Sequence, residues 1–305
     1  MSGNKLCISL IISILMVIKL LIYSSIMHNL YAIFAKFLDI CKEFSDNLVT
    51  EHGNIPRPGV VPRFSDLEVV SLSLTMESIG LDSENYLFPK LGEYSNELPH
   101  LISRRQFNDR RKLTANLCKE IRERIVTEID GGEEFFCKDD YERSPAFGYC
   151  ASQKLYYYGY KLHAVCGLNG VIHSFDLTKA NVHDIHYLQD VKYEYQDCSL
   201  FGDKGYIGTE VQLDLFESAN IKLEVPYRLN QKNWKPTFIP FAKARKRIET
   251  LFSQMCDQFM MIRNYAKDVN GIFTRIISKI SALTILQYIN KMNNRPIGRI
   301  KYALI

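Results

Sequence analysis

From residue 27 the apolar positions fall at three- and four-residue intervals. Leu30, Ile33, Phe34, Phe37, Leu38 and Cys41 share one face and predict an amphipathic helix. SDLE at 65–68 opens a second helix with a capping box, Ser65 as N-cap and Glu68 three residues on. The Pro/Gly-rich loop NIPRPGVVPRF separates the two. In ISRRQFNDRRKLTANLCKEIRERIV, Phe107, Leu113, Leu117, Ile121 and Ile125 keep one apolar face, and the opposite face is basic. Residues 27–130 are therefore expected to be helical.

After IDGG at 129–132 the pattern shortens to that of strands: EFFC (134–137), YYYGYKLHAVC (156–166), VIHSFDLTKA (171–180) and CSLFGD (198–203). GLNG at 167–170 is a hairpin turn, so the strands on either side of it should pair antiparallel. A helix with Val182, Ile185, Leu188 and Val191 on one side follows, with Asn181 as its expected cap. TEVQ at 209–212 is a second expected capping box, IKLEVP (221–226) a further strand, and KARKRIETLFSQMCDQF a late helix. Three strands continued by alternating helices and strands describe an α/β protein, a mixed sheet covered by helices.

The first 26 residues break this pattern. LCISLIISILMVIKLLIYSSI (6–26) is almost wholly apolar, with Lys19 inside it and no small-residue cleavage site after it. Two readings stay open: a transmembrane anchor, or translation from Met27 with the preceding stretch not native. The second is preferred here, because the amphipathic helix begins at Met27.

A chain of 305 residues with 47% hydrophobic and 24% charged residues can bury a substantial core, which excludes general disorder and a multi-span membrane protein. The eight cysteines show no CxxC pair, which points to reduced thiols and a cytoplasmic protein. A zinc site on His183 and His186 would lack a cysteine pair. His163 and His173 are read, with these two, as structural or surface groups.

The net charge of +4 hides two basic clusters. Residues 104–124 hold eight Lys/Arg against three acids, including Arg104, Arg105, Arg110 and Arg111, and suggest a phosphate-facing surface. Residues 228–247 hold seven Lys/Arg and no acid, with Trp234 and Phe238 interleaved. There Lys232, Trp234, Lys235, Arg245 and Lys246 are candidate DNA contacts, cations for phosphate and an aromatic ring for unpaired bases. Lys204 and Lys161 are further phosphate candidates. Tyr156, Tyr158 and Tyr160 alternate in a strand, a pattern that usually means ordinary packing.

The candidate chemistry lies in two carboxylates. Asp203 stands at the carboxyl end of a strand, where open sheets place ligands, although a turn or capping aspartate has the same sequence position. Glu249 borders the stripe Ile248, Leu251, Phe252, Met255 and Phe259, or else simply pairs with Arg245 at i,i+4, worth about 0.3–0.5 kcal/mol.

In combination, GDKGY after a strand, RKRIETLFSQ on a helix, YYYGYKLHAV and FDLTKANVHDI resemble the catalytic domain of bacterial insertion-sequence transposases of the DDE type, specifically the insertion sequence 982 family. The resemblance runs from about Met27 to the end. It implies an RNase H-like fold at 131–292, preceded by a helical DNA-binding region at 27–130 and followed by a tail at 293–305. It further implies that Asp203 and Glu249 belong to a carboxylate triad holding two Mg²⁺ ions, with Mn²⁺ as an alternative. Two such ions about 4 Å apart activate a nucleophilic oxygen and stabilise a leaving one. DNA is the implied partner, in a homodimeric synaptic complex, and no membrane is expected.

In that family the first strand ends in an aspartate followed by a loop rich in Pro, Cys and basic residues. Here EEFFC runs directly into KDDYERSP, as if that loop were deleted. Asp139 stands two residues after Cys137 and is the candidate third ligand, or else a loop residue that leaves the triad incomplete. Three functions follow: an active transposase, a non-catalytic DNA-binding remnant, and a membrane-anchored protein of unrelated function resting on residues 6–26.

Overall fold

The computed structural model describes residues 6–9, 30–131, 145–150, 154–226, 239–262, 266 and 268–304. Two compact units emerge, one of residues 1–15 and 133–253, the other of residues 16–132 and 254–305. In the second unit the residues after 253 pack with the helices that lie between residues 30 and 131.

The sheet unit is built on β3 (Leu155–Gly167), which is long enough to serve three partners. Its first residues pair antiparallel with β2 (Ala146–Cys150), Phe147 opposite Tyr158 and Tyr149 opposite Tyr156. Its middle pairs antiparallel with β4 (Ile172–Lys179), Lys161 opposite Thr178. The turn between them is the expected one: Gly167 donates to Val171, Asn169 accepts from the Val171 amide at 3.0 Å, and Gly170 has φ +86°.

The end of β3 pairs antiparallel with β1 (Leu6–Ser9), Ser9 opposite Val165. On its other side β1 runs parallel to β5 (Ser199–Gly202), with Ser9 beside Gly202, and β5 runs parallel to β6 (Lys222–Glu224). Residues 6–9 of the apolar amino-terminal stretch are thus an interior strand of this sheet. The expected strand at 134–137 lies outside the described residues.

Two helix starts differ from expectation. The helix after β4 begins with a 3-10 turn, Asp184–His186, and continues as α6 (Tyr187–Glu194); His183, not Asn181, is the cap, its Nδ1 accepting from the Ile185 amide at 3.3 Å. The helix α7 (Thr209–Ala219) has Gly208 at its N-cap and no side-chain cap. Gln212 of the expected box instead donates its side-chain amide to the Leu223 carbonyl at 3.2 Å, tying α7 to β6.

The helical unit contains α1 (Leu30–Glu43), α2 (Asp66–Ser78), α3 (Glu84–Leu91), α4 (Arg104–Leu113), α5 (Ala115–Asp130) and α9 (Val269–Met292). The Ser65/Glu68 capping box forms in full, and a second, Ser103/Gln106, opens α4. The long amphipathic run breaks at Thr114, whose hydroxyl bonds back to the Arg110 carbonyl at 3.0 Å, and this break leaves Leu113 69% exposed. The loop before α2 is pinned by buried Asp66, which accepts from the Ile55 amide at 3.0 Å and from Arg57 at 3.3 Å.

The centre of this unit is α9. Among the described residues it is the one helix long and apolar enough to cross a membrane, but 72% of its apolar window is buried against protein, as in a core helix. Two of its buried polar side chains find partners inside the unit. Ser278 bonds to Ser73 at 3.1 Å, and Lys279, 1% exposed, donates to Glu77 at 2.8 Å and to the Phe259 carbonyl. The described cysteines form no disulfide. Burial pushes the Cys41 thiol up to about 12 and Cys118 to about 11, so neither is a thiolate nucleophile.

Candidate active site

The strand β5 delivers Asp203 to the carboxyl end of the parallel strands. Asp203 itself is extended (φ −80°, ψ 174°), and the chain then folds into one 3-10 turn, Lys204–Tyr206. Although Asp203 occupies the cap position of that turn, its side chain makes no capping bond. The carboxylate is therefore not consumed by local structure.

Three contacts fix the turn. Tyr206 is buried, and its hydroxyl bonds to His163 Nδ1 at 3.1 Å; His163 Nε2 bonds to Thr178 Oγ1 at 2.8 Å, and the imidazole stacks on Tyr187. At Gly205 a Cβ would fall 2.8 Å from Asp184 Oδ2. Asp184 cannot readily yield, because Lys161 Nζ holds its other oxygen at 2.9 Å while also donating to the Val182 carbonyl at 2.8 Å. The segments FDLTKANVHDI, YKLHAV and GDKGY thus form one support for Asp203. Lys161, a candidate phosphate contact by sequence, is occupied in that support.

Burial pushes the His163 imidazole down to about 4, only partly opposed by Asp184. In the unfolded chain this histidine takes a proton near 6.5. Its contribution to stability is then complete above about pH 6.5 and is lost as pH falls from there towards 4. The difference of about 2.5 pH units corresponds to roughly 3 kcal/mol. Urea denaturation between pH 7 and 4 should show that loss in the wild-type chain. In His163→Gln the part of the acid slope due to this group should vanish; an unchanged slope would mean that His163 is not the titrating group.

Glu249 comes from α8 (Ile239–Asp257), one residue beyond buried Ile248. Its Oε1 accepts from Arg245 Nε at 2.8 Å, and the same guanidinium reaches Asp203 Oδ1 at 4.0 Å. The i,i+4 pair foreseen as the bland alternative does form, but it forms around a cation that Asp203 shares. Hydrogen bonding to Glu249, and then the charge of Asp203, hold Arg245 above its ordinary value. The side chains of Asp203 and Glu249 are 32% and 42% exposed, so the site is open to solvent and to a ligand.

Two carboxylates drawn to one cation are a donor set of hard oxygens, the chemistry that Mg²⁺ or Mn²⁺ accepts. Among the described residues no group of three or more His, Cys, Asp or Glu could hold a metal ion. The zinc alternative finds no cluster there, and His183 is occupied as a cap. Asp139, the candidate third carboxylate, lies outside the described residues, as do Lys232, Trp234 and Lys235.

The remaining candidates divide sharply. Arg104, Arg105, Lys204 and Lys246 are exposed. Arg110 and Arg111 are not available to a phosphate. Arg110 donates to Asp66 at 2.6 Å and to the Phe64 carbonyl at 2.5 Å, and Arg111, 3% exposed, bonds to Glu77 at 3.0 Å and Glu84 at 3.2 Å. The reason is helical geometry: Arg111 is four residues from buried Phe107, on the face that meets the core, and two buried carboxylates there require a cation. Arg245 is engaged by Glu249.

The fold and the site together define a mixed α/β protein that presents paired carboxylates at the end of a strand. The chain belongs to the Transposase DDE domain family, whose model matches residues 107–285, more than half of its length. It is accordingly a transposase that acts on DNA, and proteins of this kind use divalent metal ions. No curated protein and no solved structure matches the chain.

Proposed function

We propose that this protein is an insertion-sequence transposase of the insertion sequence 982 type. It cleaves the ends of its element and joins the freed 3′ hydroxyl to target DNA in the cytoplasm. The observation that carries this reading is the convergence of Asp203 and Glu249, from a strand end and a distant helix, on the Arg245 guanidinium. The sheet order supports an RNase H-like arrangement: β4, β3 and β1 are joined antiparallel, and β1, β5 and β6 run parallel, with Asp203 following the strand beside β1.

Asp203 and Glu249 would hold the divalent ion, with Asp139 as the third ligand. When bound, the metal supplies Lewis-acid stabilisation of charge on the phosphoryl oxygens. The protein's own groups do the positioning. The Tyr206–His163 bond and the Lys161–Asp184 pair fix the Asp203 turn, and Arg245 offsets the repulsion between the two carboxylates and leaves a cation where a phosphodiester approaches. Lys204, next to Asp203 in the chain, and Lys246, next to Arg245, add exposed positive charge, and Arg104 and Arg105 serve the DNA-binding helical region.

The decisive measurement is Mg²⁺-dependent nicking of DNA carrying the element's ends by the purified full chain. Cleavage leaving a 3′ hydroxyl is expected. The point at issue is the third carboxylate, because β1, the strand beside β5, carries Leu, Cys, Ile and Ser. Full affinity for the end DNA without cleavage in Mg²⁺ or Mn²⁺ would replace this reading with that of a non-catalytic DNA-binding remnant.

A further inference from the structure

The hairpin of β2 and β3 carries an aromatic ladder that the proposed chemistry does not use. Phe147 faces Tyr158 and Tyr149 faces Tyr156, each pair with ring centroids 4.8 Å apart. All four rings lie on one face, and they are 74%, 62%, 50% and 76% exposed in that order. On the opposite face the hairpin packs closely at Gly148, where a Cβ would fall 2.5 Å from the Ala180 carbonyl oxygen. Alternation in this strand, which by sequence alone means packing, here directs large rings into solvent.

Position and charge indicate what these rings meet. Ser9 is opposite Val165 and beside Gly202, so the carboxyl end of β5, with Asp203, points along β3 towards its amino-terminal half. From Val165 back to Tyr158 is a run of strand about 23 Å long at ~3.3 Å per residue. The ladder therefore extends beyond the end of the sheet at which Asp203 stands, within a few nucleotides' reach. The described hairpin residues 145–150 and 154–161 hold no acidic side chain, and Lys154 is exposed at the hairpin's end as Lys204 is exposed beside Asp203.

We infer that the Phe147/Tyr149/Tyr156/Tyr158 face is a stacking platform for unpaired bases of the DNA strand handled at the Asp203 site. Base rings stack on aromatic side chains without sequence preference, and cations along the path track the phosphates. The inference rests on the DNA-processing reading and adds that single-stranded, not only duplex, DNA is bound.

The full chain, purified and titrated with oligothymidylate, with the same length of duplex, and with an oligonucleotide carrying 2-aminopurine, tests it. In Y156A/Y158A, single-strand affinity should fall about tenfold or more and quenching of 2-aminopurine should be lost, while duplex affinity stays at the wild-type value. Y156F/Y158F should bind like wild type, because it keeps the rings; Y156L/Y158L, which keeps strand-forming apolar side chains without rings, should behave like the alanine pair. Unchanged single-strand affinity in the alanine and leucine pairs overturns the inference and leaves the transposase reading intact, as does loss of binding in the phenylalanine pair. So does a wild-type dimer that the alanine pair dissociates with single-strand affinity unaltered, which would make the face a contact between copies. A wild-type chain that binds neither form of DNA overturns both.

Discussion

Asparagine in place of Asp203, or glutamine in place of Glu249, is expected to lower metal-dependent strand cleavage by about a thousandfold. Each change keeps the size of the side chain and removes one negative charge from the only two carboxylates gathered on Arg245 among the described residues. A divalent ion in such a site contributes several kcal/mol of transition-state stabilisation, and each 1.36 kcal/mol lost costs tenfold in rate. Neither side chain supports the fold, since Asp203 makes no capping bond and the Arg245–Glu249 pair is partly exposed. Thermal stability and DNA affinity should therefore remain near those of the wild type. Titration of Mn²⁺ in the absence of DNA gives a readout independent of cleavage: both variants should bind the ion more weakly. Wild-type cleavage rates in either variant would remove that residue from the site.

The largest loss of stability is expected at Glu77, in the helical unit. Its carboxylate is 1% exposed and lies between Arg111 Nη2 at 3.0 Å and Lys279 Nζ at 2.8 Å, the latter also 1% exposed. Charges are buried only at a large desolvation cost, which here is offset by their mutual attraction. Glu77→Gln fills the same volume but leaves two interior cations facing a neutral amide. A loss of about 3–5 kcal/mol in urea denaturation is expected, a large part of what holds a domain folded. Arg111 retains Glu84 at 3.2 Å, so Lys279 is the group left exposed to the imbalance. Replacing both Glu77 and Lys279 by methionine should therefore recover a good part of the loss. A glutamine variant as stable as wild type would show that the pair contributes no net stability.

The sequence made the local features legible where one residue's surroundings are set by its neighbours three or four positions away. The Ser65/Glu68 box, the GLNG turn and the buried stripe of α8 are of this kind. SRRQ at 103–106 carried the same capping signal and could have been read in the same way. Where a local signal faced a competing partner it misled. TEVQ is a capping box by letter, yet Gln212 is drawn to β6 instead. Leu113 keeps the helical period, yet the helix breaks at Thr114 and Leu113 is left exposed.

By itself, the sequence determined that Asp203 ends a strand and that Glu249 lies beside an apolar helical stripe, because those placements depend on periodicity alone. Only the tertiary structure decided that the two carboxylates share one guanidinium, that Arg110 and Arg111 turn inward to Asp66, Glu77 and Glu84, and that residues 6–9 enter the sheet between β3 and β5. Charge composition records how many cations a segment has, not which carboxylates the fold will bring to them. That pairing follows from contacts between residues far apart in the chain, where no fixed spacing exists to be read.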